Sequence, residues 1–257
     1  MNVLLSSTYF GPIQWYQKLY RAEHAWIERC ESFQKQTYRN RCLIATTQGV
    51  QALTVPIVSE RPRGVSEGLS LITSVRISDH GNWRHLHWNA LQSAYGESPF
   101  FEYYEDDLRP FFEPRWEYLF DFNEAIRQKM CELLDIHPNV AFTRGFAPSA
   151  TGEAPLSQNE ALFEKNEALF EKKEALFEKK EAGLENSSTA LCCGDAVVPA
   201  PSLCDYRSAI APKHAAADPA FQPRRYYQVY EAKHGFLPNL SIVDLLCNMG
   251  PESVFWL

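Results

Sequence analysis

Val3-Leu4-Leu5-Ser6-Ser7, then Gly11-Pro12, then Ala25-Trp26-Ile27-Glu28: within its first thirty residues the chain reads as strand, break and second strand. Between them Ile13, Tyr16, Leu19 and Tyr20 recur at helical spacing, and Pro12 suits the first turn of that helix. The apolar run Val3-Leu4-Leu5 has no polar alternation, as expected of a strand covered on both faces. Strand, helix, strand predicts an α/β fold, a mixed sheet with packed helices. In open α/β sheets ligands sit beyond the carboxyl ends of the strands. That rule places Ser6, Ser7, Thr8, Tyr9 and Gln14 near a binding site, although each taken singly serves equally well as a turn or helix-start residue.

Working outward, Cys42-Leu43-Ile44-Ala45 and Leu53-Thr54-Val55-Pro56-Ile57-Val58 form a predicted hairpin joined around Gly49, with Pro56 pushing the second run toward a sheet edge. Residues 59–70, with Pro62, Gly64 and Gly68, read as a loop, and Ile72-Thr73-Ser74-Val75-Arg76-Ile77-Ser78 alternates as a strand does. A helix is expected from Asn82 to about Tyr95, stopped near Gly96. A longer one runs from Pro114 to about Leu134, with Trp116, Leu119, Phe120, Ile126, Met130, Leu133 and Leu134 as its apolar stripe. Asn123 falls in that stripe, so it needs an internal hydrogen-bond partner or a pocket wall. Val140-Ala141-Phe142-Thr143 and the aromatic run 224–230 are further strand candidates. Ser241 is a natural N-cap for the last helix, Asp244 its capping-box partner, and Gly250-Pro251 its stop.

Composition changes abruptly after residue 147. The heptad Asn-Glu-Ala-Leu-Phe-Glu-Lys at 159–165 recurs at 166–172, again at 173–179 with Lys in the first place, then decays through 180–186. Leu and Phe are adjacent in each copy, so no a/d seam forms, and a coiled coil is poorly supported. Residues 148–200 therefore read as an inserted, partly disordered or helical excursion interrupting a single domain made of 1–147 and 201–257, with a self-association helix as the alternative. The net charge is −7, and the nine Glu and five Lys of residues 153–186 account for −4 of it. The remaining body is nearly balanced, which argues against nucleic acid as a partner. No apolar run approaches the roughly 18 residues of a membrane span, and the first residues lack the pattern of a signal peptide. Seven scattered cysteines without a Cys-x-x-Cys spacing fit a reducing, cytoplasmic setting and give no structural zinc site.

Chemistry concentrates in two stretches. Asp79-His80-Gly81-Asn82-Trp83-Arg84-His85-Leu86-His87-Trp88-Asn89 holds three of the seven histidines and two of the six tryptophans. Clusters mixing apolar and titratable groups this densely tend to line pockets. On a helix His85 and His87 point to nearly opposite sides, and His80 and His87 stand about 10 Å apart along the axis, so at most one or two of these residues serve a single metal ion, with its other ligands far away in sequence. The second stretch, Phe33-Gln34-Lys35-Gln36-Thr37-Tyr38-Arg39-Asn40-Arg41, carries three cations and no acid. It reads as a phosphate or carboxylate pocket, or as a solvated loop whose arginines pair with acids elsewhere.

Several blocks together resemble the WbqC-like family of bacterial proteins, with wording closest to its Bacteroides-type branch. They are Tyr9-Phe10-Gly11-Pro12, Tyr16-x-Lys18-Leu19, Lys35-x-x-Tyr38-x-Asn40-Arg41, Leu53-Thr54-Val55-Pro56, Trp83 with His87 and Tyr95, and Asn239-Leu240-Ser241-Ile242-Val243-Asp244-Leu245-Leu246. The resemblance implies a part in O-antigen or related surface polysaccharide biosynthesis. It implies a counterpart for only one of the clustered histidines, His87, and it supplies no reaction, cofactor or catalytic residue. Residue chemistry then gives three readings. The first is an enzyme acting by group transfer on a nucleotide- or lipid-linked sugar. In it His87 is the general base, helped by Asp79. Lys35, Tyr38, Arg39, Asn40, Arg41, Arg84 and Gln14 hold the ligand, and Trp83 or Trp88 stacks on it. The second is a non-catalytic binding or scaffold protein of the same pathway. The third is a metal-dependent hydrolase using Asp79, His80 and His87.

Overall fold

The structure, a computed structural model, describes residues 1–58, 71–147, 203–213 and 215–257. These belong to one compact unit built from Met1–Ala147 and Ala200–Leu257. The heptad repeat, which falls in the other unit (Pro148–Pro199), and the loop expected at 59–70 lie outside the described residues.

The fold is mixed α/β, with a parallel sheet and packed helices. Strands β1 (Asn2–Ser6), β2 (His24–Glu28), β5 (Val140–Phe142) and β6 (Leu203–Asp205) form one sheet in the order β5-β2-β1-β6, every neighbouring pair parallel. Helix α1 (Ile13–Arg21) carries the chain from β1 back to the start of β2. Central β1 has Val3, Leu4 and Leu5 all buried, which explains its unbroken apolar sequence. The hairpin β3 (Arg41–Thr46) and β4 (Gly49–Thr54) stands apart as a two-stranded antiparallel sheet. Gly49, at φ +100°, follows the two-residue turn, a conformation that costs a glycine little.

Helices α2 (Trp83–Tyr95), α3 (Phe101–Leu108), α4 (Leu119–Leu133), the single turn α5 (Glu231–His234) and α6 (Ile242–Met249) complete the described elements. Their core is aromatic. Phe122, fully buried, has Tyr9, Trp83, Phe111 and Trp116 ring centroids within 5.2–6.3 Å. No described helix is long and apolar enough to cross a membrane.

Four local expectations change in the fold. The alternating run 72–78 is not a strand: Ile72–Ser74 is a 3₁₀ turn, and only single bridges, Ile57 with Ile77 and Arg76 with Tyr118, follow. Val75 and Ile77 are buried as alternation requires, but one facing segment contains Pro56, which has no N–H to extend a ladder. The helix expected from Pro114 begins at Leu119, because Tyr118 is held extended by its bridge to Arg76. The aromatic run 224–230 makes no strand. Its side chains bond elsewhere: the Tyr226 hydroxyl donates to Asp244 (2.5 Å), and the Gln228 amide holds both the N–H and the C=O of Leu237 (2.9 Å each). Asp244 is thus a buried acceptor and not the expected capping-box acid, while Ser241 does cap α6 through the Val243 N–H.

Candidate active site

Because the four strands are parallel, their carboxyl ends gather on one edge, and that edge carries an unusual amount of buried charge. Glu28 closes β2 in register with Ser6 of β1 and is fully buried. One of its oxygens accepts from the Thr143 hydroxyl (2.6 Å), just past β5, and from the Cys30 N–H (2.8 Å). The other accepts from the Ala147 N–H (3.0 Å) and from Arg207 (3.3 Å), just past β6. Arg207 also grips Asp205 (2.7 Å) and the Ala147 carbonyl (2.7 Å). This network ties three strand ends together, as a buried acid requires.

A second network stands beside it. Arg39 donates from Nε to one Glu31 oxygen (2.8 Å) and from Nη2 to the other, and the same Nη2 donates to Ser6 Oγ (2.8 Å). Ser6 Oγ–H in turn donates to Glu31 (3.1 Å). All three side chains are buried. Burial raises the Glu31 carboxyl above its usual value, against the lowering pull of Arg39 and Ser6. Asn123 of α4 holds the assembly from below: its amide donates to Ser7 Oγ (3.0 Å) and to the Arg39 carbonyl (2.8 Å). That is the internal partner its place in an apolar stripe demanded.

Between the networks lies a narrow cleft whose enclosed space, ≈ 10 Å³, is about that of one water molecule. Ser6, Ser7 and Thr8 line it from the end of β1, Tyr38 and Arg39 from the following segment, and Tyr206 and Arg207 from the end of β6, with Trp15 and Ile210 adding apolar surface. Tyr206 rests on Lys18, whose ammonium lies 4.5 Å from the ring centroid and pairs with Asp218 at 2.8 Å. The cleft therefore offers hydroxyls, guanidinium edges and aromatic rings at the position where parallel α/β sheets take their ligands. Among the described residues no group of three or more His, Cys, Asp or Glu is placed to hold a metal ion. Burial pushes the Cys30 thiol up to about 11, so it is not a thiolate near neutrality.

Of the residues singled out in the sequence, Tyr38 and Arg39 line this cleft together with Ser6, Ser7 and Thr8. The others stand elsewhere. Lys35 is exposed, Arg41 bonds Thr54 (3.0 Å) across the hairpin, and the Asn40 amide is spent on the Val55 carbonyl (2.9 Å). Gln14 bonds Asp218 and Asn239. Asp79 is exposed and paired with Arg84 (2.7 Å), whose guanidinium lies over the Trp83 ring. Trp83 packs on His87 and Phe122 and donates to the Ser78 carbonyl (3.0 Å), while Trp88 packs on Phe101 and Phe112. The helix splits the histidines as its geometry requires: His87 is buried, and His85 is exposed on Asn89.

His87 Nδ1 meets the Tyr9 hydroxyl at 2.9 Å. Burial lowers its pKa to about 4, against a weaker raising hydrogen bond to the Thr54 backbone. The ring is thus neutral, and Tyr9 is the donor. Unfolded, it titrates near 6.5. Its contribution to stability is therefore intact above about pH 6.5 and is lost as pH falls from there to about 4, for roughly 3 kcal/mol in all. Asp244, raised by burial to about 6, works the other way, losing stability as pH rises from its unfolded value near 3.9. The comparison that isolates His87 is wild type against His87→Gln, since Asp244 is common to both. Urea midpoints are expected to fall more steeply below pH 6.5 in the wild type, and parallel pH curves would refute the assignment.

Glu28, Glu31, Tyr206 and Arg207 went unremarked as site residues in the sequence. Glu28 had a usable signal: a carboxylate ending a buried strand at the sheet's ligand edge. A parallel sheet with packed helices and a polar cleft at the carboxyl ends of its strands defines a protein of the α/β class. The sequence model of the WbqC-like protein family matches residues 7–174, and the chain belongs to that family. Neither a curated protein nor a solved structure matches it.

Proposed function

We propose that this protein is an enzyme of surface polysaccharide assembly that binds a nucleotide- or lipid-linked sugar by its phosphate at the carboxyl-edge cleft and transfers a group on it. The observation that carries the reading is the composition of the cleft: Arg39 and three consecutive hydroxyl residues beside the rings of Tyr38 and Tyr206. Guanidinium and hydroxyl donors suit phosphate oxygens, and aromatic faces beside polar donors suit a sugar or a base. In this reading Arg39 takes the anion-binding role within the basic stretch 33–41, and Tyr206 provides the stacking surface. His87 contributes indirectly, by fixing Tyr9, three residues along from Ser6.

Saturation-transfer NMR with a nucleoside-diphosphate sugar tests this. Transfer to the ligand is expected with the wild type and is expected to be lost in Tyr206→Ala, provided its thermal melt remains cooperative. Arg41→Ala, altered on the hairpin outside the cleft, should keep the signal. No transfer with the folded wild type refutes the reading.

A further inference from the structure

At the cleft a serine hydroxyl is already in hydrogen-bond contact with a buried carboxylate. We propose that Ser6 is the nucleophile of this site, Glu31 its general base, and Arg39 the group that orients both, acting on a phosphorus electrophile. This rests on the reading of the cleft as a site for phosphorylated sugars.

Ser6 is the last residue of β1, and its place is over-determined. Its backbone is in register with Glu28, and its carbonyl accepts from the Trp15 indole (2.9 Å). Ser6 lines the cleft, and its hydroxyl donates to Glu31 at 3.1 Å and accepts from Arg39 at 2.8 Å. A hydroxyl bonded to a base that is itself held by a third group is the signature of an activated nucleophile. Glu31 suits the base role because it is buried, 4 % exposed, so taking a proton relieves an expensive charge. Ser6 also lies at the carboxyl edge of the sheet, where an incoming ligand would meet it.

Charge balance favours phosphorus. At rest Glu31 and Arg39 neutralise one another. As Ser6 Oγ attacks, the Oγ–P bond forms and the P–O bond to the leaving group breaks, its electron pair departing with that oxygen. The Ser6 proton passes to Glu31 and stays there, while the leaving group, a phosphate or diphosphate of low basicity, departs as its anion. While Glu31 holds the proton, the Arg39 charge is uncompensated, at the moment negative charge gathers on the phosphoryl oxygens beside it. A guanidinium so placed stabilises the transition state more than the ground state. An acceptor hydroxyl then attacks the phosphoryl group and releases its proton to solvent, the Oγ–P bond breaks, and Glu31 returns its proton to Ser6 Oγ.

The test is labelling of the full-length protein with a small dialkyl fluorophosphonate, read by intact mass and peptide mapping. The Oγ–P bond forms, fluoride leaves, and Glu31 accepts the proton. One adduct is expected, on Ser6, absent in Ser6→Ala and formed about a hundredfold more slowly in Glu31→Gln. Should Glu31→Gln fail to fold, the wild type gives the same readout, because labelling must fall as acid protonates the base. No adduct on folded wild type, or an adduct on another residue, overturns the nucleophile. Labelling that is independent of pH, or unchanged in a folded Glu31→Gln, overturns the base. The NMR experiment keeps the two readings separable. Ligand binding without an adduct refutes Ser6 alone, and an adduct without nucleotide-sugar binding refutes the substrate class alone.

Discussion

Arg39→Met is expected to destabilise the protein by about 3–5 kcal/mol, because it strands a buried carboxylate. Glu31 and Arg39 are each 4 % exposed, and Glu31 has Arg39 on both oxygens with Ser6 as its other donor. Without the guanidinium, one hydroxyl must offset a desolvated charge, so the carboxyl titrates higher still. The loss is therefore expected to be full at neutral pH and to shrink as acid protonates Glu31 in the folded variant. Removing both charges with Arg39→Met and Glu31→Leu should cost less than Arg39→Met alone, since two apolar groups leave no orphaned ion. Urea unfolding of the three proteins at pH 7 and pH 5 decides the matter. A single-variant loss under about 1 kcal/mol would show that the pair is not the buried bridge described here.

Phe122→Ala comes second, at about 3–5 kcal/mol. The ring is fully buried among four aromatic neighbours, with Trp116 the nearest at 5.2 Å. Rigid rings collapse poorly into the space a phenyl leaves, so most of the cavity cost should persist. The change also reaches the cleft, because the next residue, Asn123, bonds Ser7 and Arg39. Weaker ligand saturation transfer should accompany the lower urea midpoint. Phe122→Leu, which leaves a smaller void, should lie between wild type and Phe122→Ala in both measurements. If the ligand signal survives Phe122→Ala unchanged, α4 does not support the cleft.

The opening strand–helix–strand was legible because its signal is local. A buried parallel strand shows an unbroken apolar run, an amphipathic helix shows its period, and both fit within a dozen residues. The same local reading placed Ser6, Ser7 and Thr8 at the carboxyl ends of the strands, where they are found. It was less able to rank the dense Asp79–Asn89 stretch. Helical spacing separates His85 from His87 but does not say which face turns inward. Only its contacts with Tyr9 and Trp83 show that His87 belongs to the interior. Asp244 misled for a related reason. An acid at the third position of a helix is usually a cap, and nothing nearby in sequence reveals that Tyr226 and Gln228 approach it from 18 and 16 residues away.

By itself, then, the sequence determined the α/β class, the positions of the first strands and helix, the N-cap of the last helix, and family membership. Each of these depends on periodicity, continuity or motif within short windows. The tertiary structure alone decided which charges came together. Glu28 and Arg207 are 179 residues apart, and Ser6 and Arg39 are 33 apart. A parallel sheet brings them to one edge because its strands all end there. Burial then sets what each charge costs, whom it must pair with and which proton it can take. Desolvation is a property of the packed neighbourhood, and no stretch of sequence contains it.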